Sequence, residues 1–277
     1  MSGLVMAAIA ESLTRLDAGV SWTTIVSATD TRPGWIRCSD LLVDPARLVG
    51  WQRDAAAAYA GDDDPLAGNS GLLTGQGLVL DWYLAAVVLP AVAVFHLDRR
   101  VLDPSPERLW LFSAVPGSPV AATAVTSTDF SCLPDDPAAR EPAARVVADL
   151  PALATLLRTH LVDHARRALQ VYAPTTRIGR RGLWAAVTDA IDVAFLTGGW
   201  ISQDIPRAAS DAHLMLGHTP PLVGGSTLHQ IVDERGRSHW TRRRYSCCYL
   251  YRVPRTAPCV TCPRVAEWER RRQATSW

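Results

Sequence analysis

The sequence contains no lysine. All 28 basic residues among its 277 are arginine, and they face 27 acidic residues. We attribute the missing lysine to codon or genome bias and draw no functional conclusion from it. A disordered chain is excluded, because 48% of the residues are hydrophobic and only 20% are charged. The length supports one large domain or two modest ones with an ample core.

Export signals and membrane spans are also missing from the sequence. The N-terminal residues lack a basic region, and Glu11 interrupts their apolar run. The best candidate for a span, residues 82–97, is only 16 residues long, contains Pro90 and is bounded by Asp81 and Asp98. A span needs about 20 apolar residues. We therefore expect a buried core helix in a cytoplasmic protein, with at most peripheral membrane association.

A nucleotide-binding fingerprint is lacking as well. The glycine-rich stretch at residues 71–77, GLLTGQG, does not have the G-x-G-x-x-G spacing and does not follow a strand. The sequence therefore predicts neither an NAD site nor a flavin site.

The near-zero net charge of +1 conceals an uneven distribution. Residues 1–234 contain 17 arginines and 25 acidic residues, for a net charge of −8. Residues 235–277 contain 11 arginines and 2 acidic residues, for a net charge of +9. A basic segment therefore follows an acidic body. We place a domain boundary close to this change, with a body at residues 1–230 and a C-terminal segment at 231–277.

Hydrophobic periodicity predicts an α+β fold that is dominated by helices. The predicted helices are 4–17, 45–59, 78–97 (kinked or broken at Pro90), 151–172, 180–197, 205–217 and a short 265–273, with Gly198 and Gly199 separating the fifth from the sixth. Asp44 and Pro45 form a helix start. A hairpin is predicted within residues 108–126 and a strand-like stretch at 239–253, with loops at 61–71, 133–142 and 219–226.

Six cysteines are too few for a secreted disulfide scaffold of this length. Four of them lie within 16 residues, as the adjacent pair Cys247–Cys248 and the C-x-x-C pair Cys259–Cys262. Four soft sulfur ligands suit a tetrahedral zinc ion or an iron–sulfur cluster. The other two, Cys38 and Cys132, are predicted to be inert thiols.

The adjacent pair favours a two-iron cluster over zinc. Neighbouring residues of an extended strand point to opposite faces, so both sulfurs reach one metal site only where the chain turns or bulges. A two-iron cluster is larger than one zinc ion and offers two attachment points, which makes an adjacent pair less strained.

These residues resemble a known family motif. The order R-R-x-S-C-C-x-x-Y-R-x-P followed by C-x-x-C-P is similar to the C-terminal signature of the FhuF-like ferric siderophore reductases. Here it is formed by Arg243, Arg244, Ser246, Cys247, Cys248, Tyr251, Arg252, Pro254, Cys259, Cys262 and Pro263. The resemblance covers about 25 residues. It implies a [2Fe-2S] cluster on the four cysteines and reduction of ferric iron in siderophores, typically hydroxamates, on the cytoplasmic side of the membrane.

The basic segment gains a role from this resemblance. An anionic cluster needs positive charge nearby, which we assign to Arg242, Arg243, Arg244, Arg252 and Arg255, and these residues are also candidates for docking the substrate or the electron donor. Trp240 and Tyr245 are expected to shield the cluster and are also candidates for docking the substrate or the donor. The donor would be a ferredoxin or its reductase, and no nucleic-acid partner is expected.

Two other functions remain open at this point. The first is a non-enzymatic module in which zinc staples an arginine-rich tail that binds nucleic acid or another acidic partner. The second is an iron–sulfur electron carrier for a different acceptor. His160 and His164 share a helix face, which we interpret as structural rather than as a zinc motif. The roles of His213 and His218, which flank a helix end, are left open. One of these two, or of His229 and His239 before the cysteines, could line the siderophore site or replace a sulfur ligand.

Overall fold

The computed structural model describes residues 8–28, 33–59, 67–115, 117–217, 220–253 and 256–273. Over these residues the helices are α1 Ala8–Ala18, α2 Cys38–Val43, α3 Pro45–Tyr59, α4 Ala67–Asp98, α5 Leu150–Tyr172, α6 Arg180–Ser202, α7 Ile205–Leu216 and α8 Glu267–Gln273. The strands are β1 Thr24–Ser27, β2 Trp35–Arg37, β3 Arg100–Leu102, β4 Leu109–Phe112, β5 Ala122–Val125, β6 Phe130–Cys132, β7 Ala144–Val146, β8 His229–Val232 and β9 Ser238–Thr241.

Helix α4 is the centre of the core. It is apolar on nearly all sides, as expected for a helix surrounded by protein, and it packs against α1, α3, α5 and α6. By length and composition, Gly71–Asp98 could cross a membrane, but 83% of its most apolar window is buried inside the fold. The structure thus places it where the sequence predicts a core helix.

Pro90 does not end this helix. Proline lacks an N–H, so the carbonyl of Ala86, four residues earlier, loses its helical donor. The hydroxyl of Thr123 on β5 donates to that carbonyl over 3.3 Å, and both groups are buried. The sheet therefore supplies the hydrogen bond that proline removes, and α4 runs unbroken to Asp98.

Three small sheets surround the helices. The first has the order β1-β5-β4-β2, the second β3-β6-β7, and the third is the β8–β9 hairpin. The predicted hairpin is present as β4 and β5, but the β structure is not wholly antiparallel, because β1 pairs with β5 and β6 with β7 in parallel. The helix-dominated α+β class is confirmed.

Two local predictions are wrong. The predicted break at Gly198 and Gly199 does not occur, since α6 continues to Ser202. Gly199 instead lets α7 approach closely: an added Cβ would lie 2.8 Å from the Ala208 Cβ. Of the strand-like stretch at 239–253, only the part up to Thr241 is strand. The remainder is irregular, with a 3-10 turn at Leu250–Arg252.

The proposed domain boundary falls inside a structural unit. Residue 230 lies in β8, which is joined to β9 through register pairs such as Gln230 with Trp240. A third prediction, the loop at 61–71, is wrong in part, because α4 begins at Ala67 and includes residues 67–71. Residues 61–66 of that loop, the predicted helix start at residue 4 and His218 lie outside the described residues.

Candidate metal centre

The two cysteine pairs are brought together between β9 and α8. The N–H of Arg244 donates to the carbonyl of Thr261 over 2.9 Å, which joins the chain before the adjacent pair to the C-x-x-C turn. Within that turn, the N–H of Cys262 donates to the carbonyl of Cys259 over 2.8 Å. Two stretches that are separate in sequence thus form one site.

Helix α4 packs against the backbone of the adjacent cysteine pair. Thr74, Gly77 and Asp81 are spaced so that they share one helix face. The Thr74 hydroxyl donates to the Tyr249 carbonyl over 3.1 Å. At Gly77, an added Cβ would lie 2.7 Å from the carbonyl oxygen of Cys248, so only glycine allows the two backbones to meet. The glycine-rich stretch, which does not match a nucleotide fingerprint, therefore forms part of the surface against which the cysteine segment packs. We call this surface, which includes Gly77 and Asp81 of α4 and Asp189 of α6, the seat.

Helix α6 holds the same segment through Asp189. Its carboxylate accepts hydrogen bonds from the N–H of Tyr245 at 2.9 Å, the N–H of Ser246 at 2.8 Å and the Ser246 hydroxyl at 2.6 Å. Burial raises the pKa of Asp189, against the opposing effect of Arg244 and Arg242. The serine of the motif, Ser246, directly precedes the first cysteine and is thus anchored to the body by Asp189.

Arg244 links the two helices to the thiols. Its Nη2 lies 2.7 Å from both carboxylate oxygens of Asp81, and its Nε lies 3.6 Å from Asp189. Burial works against its charge, but the two carboxylates outweigh this effect and raise its pKa. The same guanidinium is near enough to Cys248 to favour its thiolate. Buried ion pairs of this kind fix a geometry more surely than they add stability.

The thiols differ in exposure and basicity. Cys248 and Cys262 are buried, whereas Cys247 and Cys259 are half-buried. The hydrogen bond between Cys248 and Cys259 lowers the pKa of Cys248 and raises the pKa of Cys259. Burial raises the pKa of Cys247, although the N–H of Tyr249 points at its sulfur over 3.4 Å.

The site supplies four thiols from two segments of the chain. Among the described residues, no three His, Cys, Asp or Glu side chains converge as ligands for one metal ion. A zinc ion needs four ligands around one centre, whereas a [2Fe-2S] cluster divides four cysteines between two irons. The four thiols provide the number of sulfur ligands that either group takes.

The other predicted docking residues lie around the site in different settings. Arg242 is buried and donates to the Asp189 carbonyl over 2.9 Å, and Arg243 is exposed and donates to the Pro263 carbonyl over 3.0 Å. Arg252 is exposed beside Tyr251. Trp240 packs partly on the core, whereas Tyr245 is 40% exposed. Arg255 lies outside the described residues.

The histidines lie in other settings. His164 is buried, bonds Tyr83 at 2.7 Å and donates to the Pro104 carbonyl, and burial lowers its pKa to about 4. It is thus a neutral core residue, in keeping with the structural interpretation of the His160–His164 pair. His213 bonds the Ala209 carbonyl of its own helix. Cys38 and Cys132 are buried, and burial raises the pKa of both.

Several supporting residues were not found from the sequence. Asp81 and Asp189 are carboxylates within apolar stretches of their helices, which is a pattern that signals a buried partner. Arg270 on α8 is 1% exposed and donates to the Cys262 carbonyl over 3.1 Å. It is the first of three consecutive arginines, and nothing in the sequence distinguishes this buried arginine from its two solvent-exposed neighbours.

The fold and site together define a helix-dominated α+β protein that carries a four-thiol centre on its core helices. The family model described as ferric iron reductase FhuF-like transporter matches residues 78–234, more than half of the chain. The chain belongs to this family. The match ends before the cysteine motif, so it confirms the resemblance from a different part of the sequence. No curated protein and no solved structure matches the chain.

Proposed function

We propose that this protein is a cytoplasmic ferric siderophore reductase, in which Cys247, Cys248, Cys259 and Cys262 hold a [2Fe-2S] cluster. Family membership supports the reductase role in general. The observation that carries the finer proposal is the seat on α4 and α6. Asp81 and Asp189 lie within the family match and Gly77 directly precedes it, and these residues position the segment that contains the four thiols.

The chemistry requires one electron per iron. A [2Fe-2S] cluster, when bound, stores and passes single electrons. The ferric iron of the siderophore complex accepts one electron and becomes ferrous, while the donor protein is oxidised by one electron. Hydroxamate oxygens are hard ligands that hold Fe(III) far better than Fe(II), so reduction loosens the iron, and the freed hydroxamates take up protons from water.

The residues of the chain prepare the site for this transfer. Arg244 places positive charge beside the thiolates, and the N–H of Tyr249 points at the Cys247 sulfur. Positive charge and hydrogen bonds to sulfur favour the reduced state and raise the potential. Burial of Cys248 and Cys262 keeps water from two of the four sulfurs. No general acid or nucleophile is needed.

The electron donor is proposed to be an acidic protein such as a ferredoxin or its reductase. Arg252 and Arg264 are exposed and lie against the ring of Tyr251, the second at 4.4 Å from the ring centroid. Tyr251 raises the pKa of Arg252 most, and Cys247 raises it as well. The charge of Arg252 therefore lies close enough to the thiols to interact with them. An exposed basic surface beside the thiols suits an acidic partner.

Anaerobic purification followed by metal and sulfide analysis tests the proposal. We expect iron and labile sulfide in equal amounts and a reddish-brown protein that dithionite bleaches and a ferric hydroxamate siderophore recolours. Cys248→Ser should lose this spectrum, whereas the matched control Cys132→Ser, on β6, should keep it.

The alternatives give different results in the same experiment. A colourless protein with one zinc and no sulfide would overturn the proposal in favour of the zinc module. A coloured protein that is reduced by dithionite but not reoxidised by ferric siderophores would be an electron carrier for another acceptor.

A further inference from the structure

A cavity of about 520 Å³ lies against the metal centre. The C-terminal half of α6, the start of α7, the β8–β9 hairpin and the C-x-x-C turn enclose it. Val193, Leu196, Trp200 and Trp240 form much of its wall. Cavities that bind small molecules have volumes of about 300–1,000 Å³ and are mostly apolar with a few polar groups, so both the size and the lining of this cavity are suitable.

One wall of the cavity is the ligand turn itself. Val260 and Thr261, which both line the cavity, are the two residues between Cys259 and Cys262. The carbonyl of Thr261 is fixed by the N–H of Arg244, so this wall is tied to the segment that also contains the adjacent cysteines. A molecule in the cavity would therefore contact the two residues between two of the proposed ligands.

The charges that line the cavity already have partners. Arg242 lies 3.9 Å from the Asp189 carboxylate, and the Nε2 of His239 lies 2.9 Å from the carboxylate of Asp233. A wall of tryptophan and aliphatic side chains with compensated charges favours an uncharged organic guest over an anion.

A ferric trihydroxamate has these properties. Three monoanionic hydroxamates neutralise Fe(III), whereas three catecholates leave the complex with a charge of three minus. The chains that join the hydroxamates are largely hydrocarbon, which suits the two indole rings.

We infer that this cavity is the binding site of the ferric siderophore, with Trp200 and Trp240 as the walls that hold its organic part against the C-x-x-C turn. The inference rests on the proposed function and adds the position of the substrate, its contacts and a basis for its charge selectivity. No residue of the cavity acts on the reacting bond. The two tryptophans bind and orient the complex.

The test measures binding separately from electron transfer. The probe is the gallium(III) complex of the cyclic trihydroxamate desferrioxamine E, which is uncharged like its ferric complex and is redox-inert. Its Kd for the cluster-loaded protein is measured by equilibrium dialysis. Trp200→Ala should weaken binding by about tenfold or more, as for truncation of a buried aromatic anchor. The matched control Trp22→Ala, which removes an indole of similar exposure (59% against 49%), should leave the Kd unchanged.

A second variant fills the cavity instead of emptying it. Val193→Trp places an indole in the wall and should also weaken binding by about tenfold or more while the visible spectrum stays intact. A gallium tricatecholate should bind the wild type more weakly than the trihydroxamate. Wild-type affinity in both variants, or a preference for the tricatecholate, would overturn the assignment of the cavity.

Failure of the site and failure of the proposed function give different results. If the wild type reduces ferric desferrioxamine E and the variants do so with unchanged KM, the site is wrong and the function stands. If the wild type neither binds the gallium complex nor reduces the ferric one, the function is wrong and the site with it.

Discussion

Gly77 sets the distance between helix α4 and the backbone of Cys248. Gly77→Ala would place a Cβ 2.7 Å from the Cys248 carbonyl oxygen and 3.0 Å from its Cα. Backbone atoms cannot move aside as a flexible side chain can, so we expect the cysteine segment to be displaced and the free energy of unfolding to fall by about 1–3 kcal/mol. Iron and labile sulfide per chain, measured after anaerobic purification, should drop well below the wild-type content.

Gly50 provides the matched control, because it lies within α3 and an added Cβ meets nothing within 4 Å. Gly50→Ala should leave the iron content unchanged and stabilise the protein by roughly 0.5–1 kcal/mol through its helix preference. Equal iron content in Gly77→Ala and Gly50→Ala would show that α4 is not the seat of the cysteine segment.

His164 gives the fold a dependence on pH. Its pKa falls from 6.5 to about 4, mainly through burial, and the charged groups around it are Arg167, Glu107 and Asp103, with the hydroxyl of Tyr83 at its Nε2. Between pH 6.5 and pH 4 the unfolded chain binds a proton that the folded chain does not. Stability is therefore lost as the pH falls through this window, by roughly 3 kcal/mol in total.

Urea unfolding of the wild type and of His164→Gln at pH 7 and pH 5 measures this contribution. The variant should be less stable at pH 7, because a buried hydrogen-bond network is disturbed, but its stability should change less between the two pH values. An identical change in both proteins would assign the pH dependence to other groups.

At the scale of single elements, a residue of β5 replaces a hydrogen bond that α4 loses at Pro90. Thr123→Val should leave the Ala86 carbonyl buried without a donor, at a cost of about 1–3 kcal/mol. In Pro90→Ala, residue 90 regains an N–H for that carbonyl, so adding Thr123→Val to it should cost much less. A double-mutant cycle followed by thermal unfolding measures this coupling. Additive effects would mean that the hydroxyl does not replace the missing helical bond.

The elements that the sequence predicts well have signals of their own. Helix α3 begins at Pro45 after Asp44, and the hairpin of β4 and β5 follows from two apolar runs around a turn. The predictions failed where tertiary contacts decide. Gly199 lies within α6 instead of ending it, and its lack of a side chain allows α7 to pack closely. The aromatic stretch after Thr241 is held by carboxylates of distant helices and not by a neighbouring strand.

The candidate site also has one part that could be predicted from the sequence and one part that could not. The four cysteines and the motif around them could be identified from their spacing alone. The seat could not, because Asp81 and Asp189 lie more than a hundred residues apart and only the fold brings them to one place. Arg242 illustrates the limit: its position in a basic run indicates a docking surface, whereas the structure buries it against α6.

At the scale of the whole molecule, the exposed arginines predict how the electron donor approaches. Arg252→Glu together with Arg264→Glu should slow reduction by an acidic ferredoxin, by about tenfold at low ionic strength, and flatten the dependence of the rate on salt. Stopped-flow absorbance measures both. The double control Arg108→Glu with Arg145→Glu has the same change in net charge on residues of other parts of the fold, and it should retain most of the rate. Equal slowing by the two pairs would mean that net charge, not a docking surface, governs the encounter.

The bond between Arg244 and Asp81 spans 163 positions of the chain and has a consequence for how the protein is made. During synthesis, both helices that form the seat emerge from the ribosome before the arginine that neutralises them. Until then Asp81 and Asp189 lack the positive charge that compensates them in the folded protein. The segment that carries the sulfurs can therefore pack against α4 and α6 only after both helices have been made.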